Sequence, residues 1–132
     1  MGKYTRSIIF REYEGNPILS PENWTYPAVS VFNPGAIEIN GEVILLVRVE
    51  DYKGFSHLTI AKSKDGISNW EIDKSPTLTP DPKFQEEMWG IEDPRVVFIK
   101  ERKEYAITYT SFSPGGPTIS LILTKDFKNF TR

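Results

Sequence analysis

Residues 89–95, WGIEDPR, set an aromatic ring, two carboxylates and a guanidinium side by side. Carboxylates next to an aromatic suit sugar chemistry: one acid protonates a glycosidic oxygen while the ring stacks on the apolar face of the sugar. Pro94 fixes its own φ and removes a backbone donor, so Asp93 is expected at the stiff opening of a strand. The alternative is an Asp that caps a turn beside structural arginines. A second charged group, Arg48-Val49-Glu50-Asp51, closes a long apolar run. Strand alternation puts Arg48 and Glu50 on one face and Val49 and Asp51 on the other. A guanidinium in such a run needs a partner, because an unpaired buried charge is costly. Glu50 or a sugar hydroxyl would serve. Asn33, ahead of Pro34, can exchange hydrogen bonds with hydroxyls or act as an ordinary turn residue.

A repeat ties these groups together. Asn33-Pro34-Gly35-Ala36 stands 60 residues before Asp93-Pro94-Arg95-Val96. EVILLV (42–47) precedes EYAITY (104–109) by 62, Lys64-Asp65-Gly66 precedes Lys125-Asp126-Phe127 by 61, and Asn69-Trp70 precedes Asn129-Phe130 by 60. A period of about 60 residues filled with strand-like runs marks a stacked or radial β architecture. The turns NPGA and EDPR are then expected to point at one shared place.

The elements that must position them read as follows. Residues 1–32 form a leading segment with a short apolar run at Ser7-Ile8-Ile9-Phe10, and Pro17, Pro21 and Pro27 exclude a helix there. Ile37-Glu38-Ile39 runs into Asn40-Gly41, a two-residue hairpin signal. The return strand, 42–50, is covered on both faces. Residues 57–63 make a third strand, and Lys64-Asp65-Gly66 turns into a fourth around Trp70. Residues 74–91 are a Pro-rich connector with one or two helical turns at 83–88. The second unit then has strands at 94–99, 105–111 and 118–124 and a short end at Phe130. The fold class is all-β: two four-stranded antiparallel blades, about 33–73 and 92–132. A propeller usually closes with at least about four blades. The chain is therefore expected to be part of a larger propeller, its second blade cut short, or to associate through an open flank as a homo-oligomer.

Composition narrows the partners. The 16 basic and 18 acidic residues are dispersed, so a nucleic-acid backbone, which needs clustered Lys and Arg, is not the expected partner. There is no cysteine and a single histidine, His57, so neither a thiolate site nor a metal centre is expected. No signal-peptide core or membrane-length apolar stretch is present, and the chain reads as cytoplasmic. Aromatic residues at 13% suit either a carbohydrate surface or ordinary strands.

With FNPGA, LLVRVED, HLTIAKSKDG, WGIEDPR and YTSF in this order, the chain resembles glycoside hydrolase family 130, the β-mannoside phosphorylases and related mannosidases. The resemblance covers about residues 31–130 and implies the first two blades of a five-bladed propeller. It implies inverting phosphorolysis: inorganic phosphate, a co-substrate and not a cofactor, attacks the anomeric carbon of a terminal β-mannosyl unit and releases mannose 1-phosphate. The family's proton donor maps onto Asp93, and the proton reaches the leaving oxygen through a sugar hydroxyl. Asn33 and Arg48 match positions that hold the mannosyl unit, and Glu92 lies towards the leaving sugar. Arg95 and Asp51, in the same two segments, complete the candidate substrate-binding set. The family's phosphate-binding residues lie in later blades, so a hydrolase on the same fold and a non-catalytic carbohydrate-binding or scaffold unit stay open as alternatives. A free Asp has a pKa of about 3.9. An acid at this position would need that value raised, by burial or by Glu92 and Glu50, against the opposing charge of Arg95.

Overall fold

The computed structural model describes residues 11–132, and the apolar run at residues 7–10 lies outside them. Among the described residues, eight strands form two units of four. The first holds β1 (Ser30–Ile39), β2 (Glu42–Glu50), β3 (Ser56–Ser63) and β4 (Glu71–Ile72). The second holds β5 (Gly90–Ile99), β6 (Glu104–Ser113), β7 (Gly116–Thr124) and β8 (Phe130–Thr131). Within each unit every neighbouring pair is antiparallel. A single parallel bridge, Ser56 to Gly90, joins the units. No helix among the described residues is long and apolar enough to cross a membrane.

Turn chemistry explains why the repeat drifts between 60 and 62. Asn40 and Gly41 both take positive φ, 53° and 77°, which a two-residue hairpin turn requires. The second unit replaces that turn with a longer one that ends on Lys103 at φ 51°, adding two residues. The turns after β3 and β7 share one construction. Ser63 and Thr124 each donate to a carbonyl five residues on, at 2.6 and 2.7 Å. Asp65 accepts from the amides of Ile67 and Ser68, and Asp126 from those of Lys128 and Asn129. These bonds satisfy the backbone of the turn, and the Ser68 hydroxyl and the amides hold the Asp65 carboxyl well below its usual range. Asp65 and Trp70 are thus structural, with the Trp70 indole donating to the Ile67 carbonyl.

The main core lies between the units. Ile44 and Leu46 of β2 and Leu58 and Ile60 of β3 pack against Ile91, Ile107, Tyr109 and Ile122 of the second. Each such side chain contributes about 1.5–3 kcal/mol of burial. A second cluster sits on the other face of β2 and β3, where Val47, Val49 and Ala61 are covered by Leu19, Trp24 and Tyr26 of the leading segment. His57 belongs there. Its Nε2 shares a 2.8 Å hydrogen bond with the Tyr26 hydroxyl, and burial pushes its pKa down. Two glycines are set by close approach. A Cβ on Gly35 would lie 2.9 Å from the Pro94 carbonyl oxygen, and one on Gly90, at φ 132°, would lie 2.8 Å from the Ser56 nitrogen. Both hold the two units together at the end where the charged residues lie.

Glu87, only 2% exposed, anchors the connector. Its carboxylate accepts from the Asp81 amide at 2.7 Å, the Tyr109 hydroxyl at 2.5 Å and Arg132 Nε at 3.1 Å. A buried carboxylate persists only with such pairing. Burial, with the Glu87 charge added to it, pushes the Tyr109 phenol up to about 12. Replacing Tyr109 with Phe keeps the ring and removes a bond to a charged acceptor. The expected loss is about 1.5–3 kcal/mol of unfolding free energy, read by urea denaturation. A Tyr109→Phe chain as stable as the wild type would show that Arg132 and the backbone suffice for Glu87.

Candidate active site

β1 and β5 carry the same irregularity. Phe32 pairs with Arg48 and Gly35 with Leu46, so β1 takes one residue more than β2 over that stretch. Glu92 with Thr110 and Arg95 with Thr108 repeat the pattern. Such a β-bulge bends the strand and re-aims a side chain. Asn33 and Asp93 are the bulge residues at φ 45° and 50°, in the left-handed region that Asn and Asp tolerate better than most. This corrects the expected location. Asp93 does not open its strand, and neither does Asn33: β1 begins at Ser30 and β5 at Gly90. The ladder continues on both sides because the bulge absorbs the extra residue. It also overrides the preference of a residue before proline for extended backbone.

The two bulges meet. Asn33 Nδ2 donates to Asp93 Oδ1 at 3.1 Å. Arg48 crosses from β2 with its side chain 14% exposed. Its NH1 donates to the same Asp93 oxygen at 3.0 Å, and its NH2 pairs with Glu92 Oε1 at 3.0 Å. Arg48 Nε donates to Ser56 Oγ at 2.9 Å, and the guanidinium carbon lies 4.5 Å from the centre of the Phe32 ring. Glu50, the partner that alternation along β2 suggested, is farther away at 3.9 Å. The closer carboxylates come from the other blade. Ser56 was not legible as a site residue; its only signal is its place at the start of β3, opposite Glu50.

Two candidates fall outside this cluster. Asp51 Oδ1 accepts from the amides of Lys53 and Phe55 at 2.8 and 3.0 Å, so the structure makes it the cap of the β2–β3 turn and not a member of the cluster. Arg95 is exposed and donates to the Pro94 carbonyl at 2.8 Å. It lines a shallow depression of about 290 Å³ with Asp93, Thr108, Thr110 and Ile119. A larger depression, about 460 Å³, lies between residues 12–19 and the outer face of β1 and β2. That one is mostly apolar and has no acid–base pair, unlike the depression beside Asp93. No group of three His, Asp or Glu among the described residues could hold a metal ion.

The cluster sorts its protons. Burial pushes the Asp93 carboxyl up, but hydrogen bonds from Arg48 and Asn33, with the charges of Arg48 and Arg95, outweigh it and leave the group below its ordinary value. Burial pushes Glu92 up; the Arg48 charge opposes, Asp93 and Glu50 reinforce, and Glu92 ends above its ordinary value. Asp93 and Glu92 are adjacent in sequence yet driven apart in proton affinity. Both bonds to Asp93 end on Oδ1, and no hydrogen bond from the described residues goes to Oδ2.

The chain has relatives. A family model for glycoside hydrolase family 130, described as beta-1,4-mannooligosaccharide phosphorylase, matches residues 8–132. A 1,2-beta-oligomannan phosphorylase of Thermoanaerobacter sp. (strain X514) is 35% identical over 114 residues, covering 80% of this chain and 36% of that protein. The chain therefore spans little more than a third of that relative's length. A β-1,2-mannobiose phosphorylase from Listeria innocua, solved with β-1,2-mannobiose, superposes with a TM-score of 0.77 at 26% identity, over 89% of this chain and 48% of that one. A further structure superposes at 0.79 and 29% identity, over 92% of this chain and 39% of that one. It was reported with the finding that the GH130 mannoside phosphorylases contain glycoside hydrolases that target β-1,2 mannosidic linkages in Candida mannan.

The opposed shifts give stability a defined pH dependence. Asp93 is shifted down, so its contribution is complete above its unfolded value of about 3.9 and is lost as pH falls through the lower folded value. Glu92 is shifted up, so its contribution is complete below about 4.3 and is lost as pH rises through the higher folded value. Urea unfolding followed down to about pH 3 should show a shallower acid-side fall in Asp93→Asn. In Glu92→Gln the loss on raising the pH above about 4 should be smaller. An unchanged acid-side slope in Asp93→Asn would show that the Arg48–Asp93 pair adds nothing to stability there.

Proposed function

The chain belongs to glycoside hydrolase family 130, and from that premise we propose that it supplies the proton donor and part of the sugar-holding surface for inverting phosphorolysis of terminal β-mannosides. The activity is proposed for a polypeptide of the relatives' length that carries these residues. The observation that carries the reading is Asp93 itself: a carboxylate on a bulge, one oxygen held by Arg48 and Asn33, the other without a hydrogen bond from the described residues. Arg offers donors only. Oδ1 already accepts from both Arg48 and Asn33, which engages its two lone pairs, so the proton an acid delivers is carried on Oδ2. In the reaction, a phosphate oxygen forms a bond to the anomeric carbon as the glycosidic C–O bond breaks with inversion. The proton passes from Oδ2, through a sugar hydroxyl, to the leaving oxygen. Arg48 and Asn33 then stabilise the carboxylate left behind. Because phosphate is the nucleophile, no second carboxylate is needed to activate water. Asn33 and Arg48 also hold the mannosyl unit, Glu92 faces the leaving sugar, and Arg95 borders the same depression. The reading sets the reaction in the cytoplasm with inorganic phosphate as co-substrate and no other cofactor.

Hydrolysis is a second reading, favoured by the solved GH130 relative reported with hydrolases of β-1,2 mannosidic linkages. Phosphate separates the two. With β-1,2- and β-1,4-linked mannobiose as substrates, phosphorolysis predicts mannose 1-phosphate in phosphate buffer and no release without phosphate. Asp93→Asn should lower turnover by at least about 10²-fold, the smaller end of general acid catalysis, with KM little changed. Arg48→Ala should raise KM as well. An Asp93→Asn enzyme with near wild-type turnover refutes the acid assignment.

A surface of the second blade supports a further part of this reading. The β2–β3 face with Ile44, Leu46, Leu58 and Ile60 is buried against the second blade. The matching face of β5–β7 leaves Val97 58%, Ile119 84% and Leu121 50% exposed. A bare apolar face of this kind favours association, and we propose that a second copy covers it when these 132 residues are made alone. Sedimentation should show concentration-dependent association that Ile119→Lys with Leu121→Lys abolishes. A wild-type chain that stays monomeric at high concentration overturns the point.

A further inference from the structure

Arg48 serves more carboxylates than one guanidinium can neutralise. Glu92 lies at 3.0 Å, Asp93 at 3.0 Å and Glu50 at 3.9 Å, three negative charges around one positive when all are ionised. β1 brings Phe32 and Asn33, which do not ionise. β2 brings Arg48 and Glu50; β3 brings Ser56, while its His57 faces Tyr26 on the other face. β5 adds Glu92 and Arg95, and β6 faces them with Thr110 and Thr108. Tyr109 is engaged by Glu87 in the core. Among the described residues, the cluster thus has one close cation and one exposed, more distant cation, Arg95, for three carboxylates.

We propose that Glu92 is a positioning residue: by sharing Arg48 with Asp93, it sets how readily Asp93 takes up a proton. NH1 and NH2 of one planar guanidinium are divided between the two carboxylates. A stronger hold on one loosens the hold on the other, and like charges so close disfavour ionising both. The two groups therefore titrate as a pair. The upward shift of Glu92 and the downward shift of Asp93 agree with this division. A proton on Glu92 frees Arg48 to hold Asp93 as carboxylate, and an ionised Glu92 draws Arg48 away and lets Asp93 become an acid. The catalytic consequence rests on Asp93 being the proton donor, whereas the titration does not, so the two can fail separately.

The test follows side-chain carboxyl carbon-13 signals of the 132-residue chain against pH, without substrate. In the wild type, the Asp93 and Glu92 signals should each show an inflection at the other's midpoint. In Glu92→Gln, the Asp93 midpoint should move to lower pH, because a negative charge is gone and Arg48 is no longer shared. Glu50→Gln, at the longer distance, should move it the same way but less. A purely structural role for Glu92 would lower the melting temperature and leave the midpoint in place. Independent single-step curves in the wild type, which needs no substitution, would overturn the proposal. So would an Asp93 midpoint in Glu92→Gln that stays put or rises, or a larger effect from Glu50 than from Glu92.

Discussion

A guanidinium pulled into the seam between two blades is the constraint on which the site depends. Arg48 lies near the end of β2, on the face where Ile44 and Leu46 are nearly inaccessible. A charge there is tolerable only with ionic and hydrogen-bonding partners in good geometry. Those partners come chiefly from the next repeat. Glu92 and Asp93 can reach Arg48 only if β1 and β5 run almost in contact. Gly35 against the Pro94 carbonyl permits that approach, and Gly90 against Ser56 fixes it through the one parallel bridge. Ser56 serves both ends of this arrangement, as the bridge residue and as the acceptor for Arg48 Nε.

The repeat explains why a bulge is present twice and why the two copies differ. Asn33 and Asp93 share backbone conformation, a following proline and an extra residue in the ladder. Duplicating the bulge aims two side chains at one point, and that convergence makes their chemical difference matter. Two carboxylates in those positions would compete for one proton. An amide in the first repeat donates to the carboxylate in the second instead. The architecture supplies symmetry, and a single amide-for-carboxylate difference turns it into a donor and an acceptor.

Much of this was legible because β-structure writes local rules into sequence. Asn40-Gly41 demands a tight hairpin, alternation places Arg48 opposite the outer face, and four landmarks at nearly constant spacing give the all-β, four-by-four arrangement. The bulges were hidden because one extra residue in a ladder looks, in one dimension, like a strand that starts later. The real partner of Arg48 was hidden for a related reason. Alternation names neighbours along one strand, so it offered Glu50, whereas Glu92 and Asp93 lie 44 and 45 residues away in sequence and are brought near by blade packing. An Asp at the end of a strand looks the same in sequence whether it faces a ligand or caps a turn, and Asp51 caps one. The Glu87–Tyr109–Arg132 group gave no local signal at all, since its members belong to three separate elements.

The direction of the Asp93 shift sharpens what an acid at this position must do. A carboxylate held by a guanidinium and an amide is well made for charge and poorly made for keeping a proton. An isolated acid in an apolar pocket would have the opposite properties. Both hydrogen bonds from the described residues end on Oδ1, so an acid here would leave a stabilised anion on proton loss and carry its proton on Oδ2. Re-protonation then depends on how firmly Arg48 is held elsewhere, and the groups that hold it are Glu92 and, more weakly, Glu50. Proton affinity at Asp93 is in this sense a property of the cluster, fixed by the geometry that brings two blades to one arginine.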